Sequence, residues 1–260
     1  MNDKYDFFIV GSDQVWNPEF AAYDEDFLTF SDNNKKIAFS ASFGVNDIKN
    51  DELKEKFSNE LGKFKSISVR ENRGKEITYN LTGREDVEIL VDPTMLLDEN
   101  EWKFVTEKPK KLKSGRYILM YFLGKIQEDW SNEIKRIAEE NDCYIINILD
   151  NRDKFYESGP KEFLYLEKNA FLICTDSFHS SVFGIIFDTP FIVFERKDTW
   201  GTMNSRLDTL LSKFSLEDRK FNNHIENELL HCNYTTAKKI LKNEKEHSLR
   251  FIREALEIEE

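Results

Sequence analysis

The sequence of 260 residues predicts an α/β fold built on parallel strands. Short apolar runs, bounded by turn residues, alternate along the chain with longer amphipathic stretches. The runs are solidly apolar, which is typical of parallel strands that are buried on both faces. The 22 phenylalanines supply ample volume for a core. Strand–helix alternation of this kind favours βαβ units over a sandwich or a helical bundle.

Eight strands are predicted, with helices between them. The strands cover Tyr5–Val10, Lys36–Ser40, Ser66–Val69, Glu88–Val91, Tyr117–Phe122, Tyr144–Leu149, Phe171–Cys174 and Phe191–Phe194. Apolar residues three and four apart predict helices at Asp51–Phe64 and Trp130–Glu140, and an apolar helix includes Val182–Phe187. From about Arg206 onward the pattern is helical, and it ends in the mixed-charge stretch Thr235–Glu259.

A basic segment divides the strand–helix series into two. Glu107–Gly115 holds four lysines, a proline and a glycine, which predicts an interdomain linker at 109–114. The predicted parts are an N-terminal Rossmann-like domain over 1–108, a C-terminal Rossmann-like domain over 115–205, and C-terminal helices over 206–260. The first domain shows four convincing strands, whereas five or six are usual for a doubly wound domain. We therefore expect it to lack its first elements.

Charge and composition disfavour several classes of function. The net charge of −12 disfavours binding to nucleic acid or to an anionic membrane by charge alone. Cys143, Cys174 and Cys232 are widely spaced without a CxxC motif, which indicates neither a disulfide framework nor a thiolate zinc site. His224 and His231 have no third ligand nearby in sequence, so no metal is expected. Neither a signal-type apolar segment nor an 18-residue apolar run occurs, which predicts a cytoplasmic protein.

The segment after the seventh predicted strand carries the strongest chemical signal. His179 falls in the first turn of the helix that follows, and hydroxyl side chains surround it at Thr175, Ser177, Ser180 and Ser181. A helix N-terminus offers backbone N–H groups and a partial positive charge to an anion. Histidine titrates near neutrality and suits acid–base chemistry. An ordinary N-cap at Asp176 or Ser177, beside a structural histidine, explains the pattern equally well.

Polar residues also follow the strands of the first domain, where open parallel sheets bind ligands. The loop Gly11–Pro18 contains a glycine, a hydroxyl, a carboxylate, an amide and an indole, and Arg70 directly follows the third strand. Each has a structural alternative: Asp13 as a turn residue that caps the next segment, and Arg70 as a surface residue paired with Glu71. Neither GxGxxG nor a P-loop sequence is present, so a classical nucleotide site has no support.

Seven segments form an ordered set along most of the chain. They are Asp6–Pro18, Phe39–Gly44, Ser68–Glu71, Val91–Leu97, Gly159–Ala170, Thr175–Phe187 and Met203–Leu211. In this order they resemble the polysaccharide pyruvyl transferase family. The resemblance implies two Rossmann-like domains in a GT-B-like arrangement, with the active site in the cleft between them. It implies a bacterial enzyme of exopolysaccharide biosynthesis in the cell envelope, which transfers the enolpyruvyl-derived group of phosphoenolpyruvate to a sugar hydroxyl as a pyruvate ketal.

The resemblance also implies roles for individual residues. His179 matches the histidine of the family's helix-start motif, Arg70 matches an arginine that faces the donor, and Asp13 is the candidate base or sugar contact. Expected donor-binding residues are Thr175, Ser177, Phe178, Ser180, Ser181, Asn204 and Arg206. Expected acceptor-side residues are Gly11, Ser12, Gln14 and Trp16. Phosphoenolpyruvate is the expected donor substrate, and no metal or other cofactor is implied.

The chain departs from the family pattern at two places. Many members carry an arginine where this chain has Ser177 and a glycine where it has Ser180, so the helix N-terminus and Arg70 would offset most of the donor's charge. Members usually carry a further strand and an Asn/Gly-rich loop ahead of the segment Asp6–Pro18. This agrees with the expectation of a shortened first domain.

Two alternative functions stay open. One is a GT-B-type glycosyltransferase that uses a nucleotide sugar, and the other is a truncated, inactive homologue that binds a glycan or a protein partner. The expected acceptor is a sugar or a lipid-linked oligosaccharide, and a lipid-linked acceptor would place the protein at the inner face of the membrane. A homo-oligomer is compatible with the sequence.

Overall fold

The computed structural model describes residues 2–20, 24–196, 204–231 and 233–258. The chain forms two compact units. The first contains the residues up to Leu96 together with Asp208–Leu210 and the residues from Leu241 onward, and the second contains Leu97–Leu207 and Leu211–Ile240. Each unit is built on one four-stranded sheet in which every pair of strands is parallel. The mixed α/β class predicted from the sequence is thereby confirmed.

The sheet of the first unit follows the order of its strands in the chain. Its elements are β1 (Phe8–Gly11), β2 (Lys36–Ala41), α1 (Asp51–Leu61), β3 (Ser66–Val69), α2 (Asn72–Thr82) and β4 (Glu88–Ile89). Strand order is β1-β2-β3-β4, with Phe8 opposite Lys36 and Ser68 opposite Glu88. All six positions of β2 are buried, as expected for a central strand covered on both faces.

The second unit has a sheet of different order. Its elements are α3 (Glu99–Lys103), β5 (Arg116–Tyr121), α4 (Glu128–Glu140), β6 (Cys143–Asn147), α5 (Pro160–Asn169), β7 (Leu172–Thr175), α6 (Phe178–Phe187), β8 (Phe191–Val193) and most of α7 (Asn204–Phe214). Strand order is β6-β5-β7-β8. The amphipathic helix α4 buries Trp130, Ile134 and Ile137, spaced three and four apart as one helix face requires.

All eight predicted strands are present: β3 has its predicted bounds, and the ends of the others differ from the prediction by at most three residues. The strand β4 ends at Ile89, whereas it was expected to continue through Val91. Beyond Ile89 the carbonyl oxygens of Leu90 and Val91 accept hydrogen bonds from Ser40 Oγ, at 3.0 and 2.9 Å. The expected continuous helical pattern after residue 206 is interrupted between α7 and the last helix, where the described residues form short 3₁₀ turns at Glu217–Arg219 and Asn227–Leu230.

The boundary between the units lies at Leu96 and Leu97 rather than in the basic segment 109–114. That segment belongs to the second unit. Leu112 N–H donates to the Pro109 carbonyl at 3.0 Å, and Lys111 Nζ donates to the Lys154 carbonyl at 3.2 Å. The lysine-rich run is therefore a turn on the surface of one unit, where its charges stay solvated.

The last helix, α8 (Thr235–Ala255), is divided between the units, because the residues from Leu241 pack in the first one. Phe251 and Ala255 are buried in a cluster with Ile37, Phe39 and Leu90. The apolar stripe of α8 thus covers sheet residues from far earlier in the chain. Within the described ranges, no helix is long and apolar enough to cross a membrane.

Candidate functional site

The turn after β1 is held in an unusual backbone conformation. Gly11 has φ +151°, and a Cβ at this position would lie 1.9 Å from the Phe39 carbonyl oxygen. Ser12 and Asp13 follow with φ of 55° and 40°, a conformation that costs non-glycine residues of order 1–3 kcal/mol each. Hydrogen bonds from Ser12 N–H to Phe39 O (2.9 Å) and from Ser42 N–H to Asp13 O (3.0 Å) hold the turn.

A buried ion pair lies next to this turn. Arg70 Nη1 donates to Asp92 Oδ2 at 2.8 Å, and the two side chains are 1% and 0% exposed. Ser12 Oγ donates to the same carboxylate oxygen at 2.7 Å. The other oxygen accepts from the Thr94 backbone N–H (3.0 Å) and hydroxyl (2.7 Å). Asp92 therefore fixes both the turn after β1 and the Arg70 guanidinium.

Asp13 lies beside the same guanidinium but faces solvent. Its Oδ1 is 3.8 Å from Arg70 Nη2, and its side chain is 73% exposed. The expected surface pairing of Arg70 with Glu71 is wrong. Glu71 Oε1 instead accepts from Ser42 Oγ and from the Phe43 backbone N–H, both at 3.0 Å.

Two of the expected acceptor-side residues, Trp16 and Gln14, have structural roles in the loop Gly11–Pro18. Trp16 is fully buried, its ring packs against Phe43, and its Nε1–H donates to the Asp26 carbonyl at 3.0 Å. Its indole has no exposed surface with which to contact an acceptor. Gln14 Oε1 accepts from Asn17 Nδ2 at 2.7 Å. The exposed or half-buried residues of this loop, Gly11, Ser12 and Asp13, keep accessible surface.

The start of α6 in the second unit is a well-capped helix terminus. Ser177 is its N-cap, and Ser177 Oγ accepts from the Ser180 backbone N–H at 3.4 Å. Thr175 Oγ1 donates to the Tyr121 carbonyl (2.6 Å) and accepts from Ser177 N–H (3.0 Å). Ser181 Oγ donates to the Ser177 carbonyl at 3.0 Å. These hydroxyl groups are thus engaged with backbone, which is a structural role in the described conformation.

His179 is the second residue of α6 and is half-buried. Its ring meets the buried Phe178 ring edge-on, with centroids 5.5 Å apart. The histidine lies in the first turn of the helix, as the sequence predicts.

Asp176 joins the carboxyl ends of three strands. It directly follows β7, and its two oxygens accept from the backbone N–H groups of Leu123 (2.7 Å) and Gly124 (2.8 Å), which follow β5. Arg196, which follows β8, donates from Nε to Asp176 Oδ2 at 2.8 Å. The two side chains are 1% and 12% exposed. Asp176 is therefore a structural anchor rather than the N-cap.

Ser180 pairs with a buried acid. Its hydroxyl donates to Glu167 Oε1 at 2.6 Å, and Glu167 in α5 is fully buried. Burial raises the pKa of Glu167 to about 8, and the hydrogen bond from Ser180 offsets part of this rise. The pKa of Tyr121 is also raised, first by burial and then by the nearby Glu167 and Asp176 carboxylates. Glu167 is therefore protonated at neutral pH and completes the packing beneath the helix start.

The other expected residues lie at helix α7, and the cysteines lie elsewhere. Asn204 is the first residue of α7 and is half-buried, and Arg206 is buried; Met203 lies outside the described residues. Burial raises the pKa of the thiols of Cys143 and Cys174, and Cys232 is not among the described residues. In the described part of the chain, no group of three or more His, Cys, Asp or Glu side chains is arranged to hold a metal ion.

Sequence reasoning missed four charged residues that organise these sites: Asp92, Glu167, Asp176 as an anchor, and Arg196. Asp92 and Asp176 carried a signal, because each follows a predicted strand within a polar segment. Glu167 lies in an amphipathic helix and Arg196 in a mixed-charge stretch, where a charged residue is ordinarily solvated. Only the low exposure of these two side chains in the folded structure identifies them as structural residues.

The family assignment follows from comparison with known proteins. The profile of the family described as Polysaccharide pyruvyl transferase matches residues 2–198, most of the chain. The chain belongs to the polysaccharide pyruvyl transferase family. Comparison with curated proteins finds no significant match.

The fold is shared with a solved structure of low sequence identity. A protein assigned as a UDP-N-acetylglucosamine 2-epimerase from Listeria monocytogenes superposes with a TM-score of 0.58 at 13% identity, covering 99% of this chain and 76% of that one. This similarity confirms the predicted GT-B-like α/β fold. At such low identity it shows the fold alone.

Replacing Asp92 with alanine should lower the free energy of unfolding by about 3–5 kcal/mol, because the Arg70 charge remains buried after its carboxylate partner is removed. Asp13→Ala is the matched control: its side chain is exposed and farther from Arg70, so the loss should stay below about 1 kcal/mol. Urea denaturation measures both. Equal losses for the two variants would contradict the assignment of Asp92 as the anchor of Arg70.

The stability of the second unit should depend on pH through Glu167. Its folded-state pKa of about 8 exceeds the unfolded value of about 4.3, so the folded state binds an extra proton between these values. The free energy of unfolding should therefore fall as pH rises from about 5 to 8, by at most about 1.4 kcal/mol per pH unit. Glu167→Gln should remove this contribution. Urea denaturation of both proteins at pH 5, 6.5 and 8 tests it, and a stability difference that does not change with pH would refute it.

Proposed function

We propose that the protein transfers the enolpyruvyl-derived group of phosphoenolpyruvate to a sugar or polysaccharide acceptor and forms a pyruvate ketal. The observation that carries the proposal is the family membership, combined with His179 in the first turn of a capped helix at the carboxyl end of a parallel sheet. Sheets of this type bind ligands at that edge. A helix start of this kind suits an anionic donor.

The reaction sets clear chemical requirements. Phosphoenolpyruvate becomes electrophilic at C2 once C3 is protonated, so an acid is needed near C3. Two sugar oxygens then bond to C2, and the bond from C2 to the phosphate oxygen breaks. The two sugar hydroxyl groups lose two protons in total. One proton is equivalent to the proton that C3 takes up, and the other leaves with the phosphate. The site must also hold a carboxylate and a phosphate.

The second unit supplies the donor site in this proposal. His179 is the acid or base, since it is a half-buried histidine within the first helical turn. The partial positive charge of the α6 N-terminus attracts an anionic group of the donor. The backbone N–H groups around Phe178–Ser180 are proposed to bind that group, and the Ser180 N–H also donates to Ser177 Oγ in the helix cap.

The first unit supplies charge and an acceptor contact. Arg70, fixed by Asp92, is proposed to stabilise negative charge that develops during the transfer. Asp13 is proposed as the base for the sugar hydroxyl or as a contact to the sugar, because it is exposed on a constrained turn. Ser12 and Gly11 complete the surface of that turn.

A glycosyltransferase that uses a nucleotide sugar is the second candidate. One observation favours it: the Listeria protein of similar fold is named as an epimerase of UDP-N-acetylglucosamine, which is a nucleotide sugar. An inactive homologue that binds a glycan or a partner is the third. The replacement of the expected cation by Ser177 motivates that alternative.

Titration calorimetry with phosphoenolpyruvate and with a panel of UDP- and GDP-sugars separates these functions. We expect saturable binding of phosphoenolpyruvate, because the N-terminus of α6 attracts an anionic group. Pyruvate and inorganic phosphate, which each lack one of the two anionic groups, serve as controls and should bind more weakly. Tight binding of a nucleotide sugar alone would refute the proposal.

His179→Ala should lower kcat/KM for pyruvyl transfer by about 10²- to 10⁴-fold, the usual cost of losing an acid–base group. Phosphate release from phosphoenolpyruvate, with sugar acceptors present, measures the rate. His231→Ala is the control, since His231 is an exposed histidine of the same unit, and it should leave the rate unchanged. Unaltered transfer in His179→Ala would remove this residue from the mechanism.

A further inference from the structure

The charge of the proposed donor exceeds what a helix start can offset. Phosphoenolpyruvate carries a carboxylate and a phosphate, whereas a helix N-terminus contributes about half a positive charge. A carboxylate, Asp176, lies immediately before the Ser177 cap. Within the second unit a cation at the helix start would therefore strengthen the binding of this donor.

Arg196 lies at the place where a cation could act at the start of α6. Its Nε donates to Asp176 Oδ2 at 2.8 Å, and the same carboxylate is the residue before the N-cap of α6. Phe194 N–H donates to the Thr175 carbonyl at 2.8 Å, which brings the chain leaving β8 alongside the end of β7. Arg196 also lowers the pKa of Tyr121 at the end of β5, against the larger raising effects. The guanidinium thus lies where the carboxyl ends of three strands meet.

The contact with Asp176 also restrains the guanidinium. The arginine side chain is 12% exposed and Asp176 is 1% exposed, and the carboxylate is itself held by two backbone N–H groups. A planar guanidinium oriented in this way loses little further entropy when it binds a carboxylate or phosphate. Asp176 therefore acts as the residue that positions Arg196.

We propose that Arg196, positioned by Asp176, is the cation of the second unit that binds an anionic group of the phosphoenolpyruvate donor. The cation is supplied from the end of β8, beside the cap of α6. This inference rests on the proposed function and names a residue that the sequence left unassigned.

Calorimetric titration of the 260-residue protein with phosphoenolpyruvate tests the inference. Arg196→Ala should raise Kd by about 10- to 100-fold, the usual effect of losing a hydrogen bond between charged groups. Arg196→Lys keeps the charge without the planar fork and should show a smaller rise. Arg152→Ala is the matched control, because Arg152 also pairs with an aspartate in the same unit but is 86% exposed, and it should leave Kd unchanged.

A rescue experiment separates donor binding from a purely structural role. Ser177→Arg in the Arg196→Ala protein returns a cation to the helix start and should recover part of the lost affinity. Loss of affinity without any rescue would assign Arg196 a structural role and overturn the inference, as would an unchanged Kd in Arg196→Ala. If Arg196→Ala fails to fold, Arg196→Lys and its combination with Ser177→Arg decide the question by the same criteria. Absence of phosphoenolpyruvate binding by the unaltered protein would instead refute the proposed function.

Discussion

Both candidate sites depend on an ion pair between a buried aspartate and an arginine at the carboxyl end of a parallel sheet. In the first unit Asp92 follows β4 and binds Arg70, and in the second unit Asp176 follows β7 and binds Arg196. Each carboxylate is also satisfied by hydrogen bonds from other residues. A buried carboxylate without such partners would be strongly unfavourable. The loops at these strand ends are therefore held in place by the partners that the carboxylates require.

This arrangement places an arginine at the carboxyl end of each sheet, the edge at which open parallel sheets bind ligands. An isolated surface arginine is flexible and strongly screened, so it contributes little to binding. An arginine held by a buried aspartate is already ordered before a ligand arrives, and less entropy is lost on binding. The ion pair lowers the net charge that the arginine offers to a ligand, but it holds the guanidinium in one orientation.

Ser177 and Ser180, the two positions at the helix start that depart from the expected family pattern, both form hydrogen bonds within the second unit. Ser177 uses its hydroxyl as an N-cap, and Ser180 donates to Glu167. Ser180 and Glu167 thus form a hydrogen-bonded pair in a place where the hydroxyl would otherwise be buried without a partner. The first turn of α6, with His179 in it, is supported from below by this pair. The departures therefore leave the helix start well formed.

The sequence by itself determined the class of fold, all eight strands and the position of His179 in the first turn of a helix. Apolar runs and cap-type residues are local signals, and local periodicity reports burial directly. It also singled out Arg70, but with the wrong partner. Tertiary structure alone decided that Arg70 binds Asp92, that Trp16 is a core residue and that the end of α8 packs on the first sheet. Those contacts join residues that are far apart in the chain, and the spacing of residue types along a single sequence does not specify which distant residues meet.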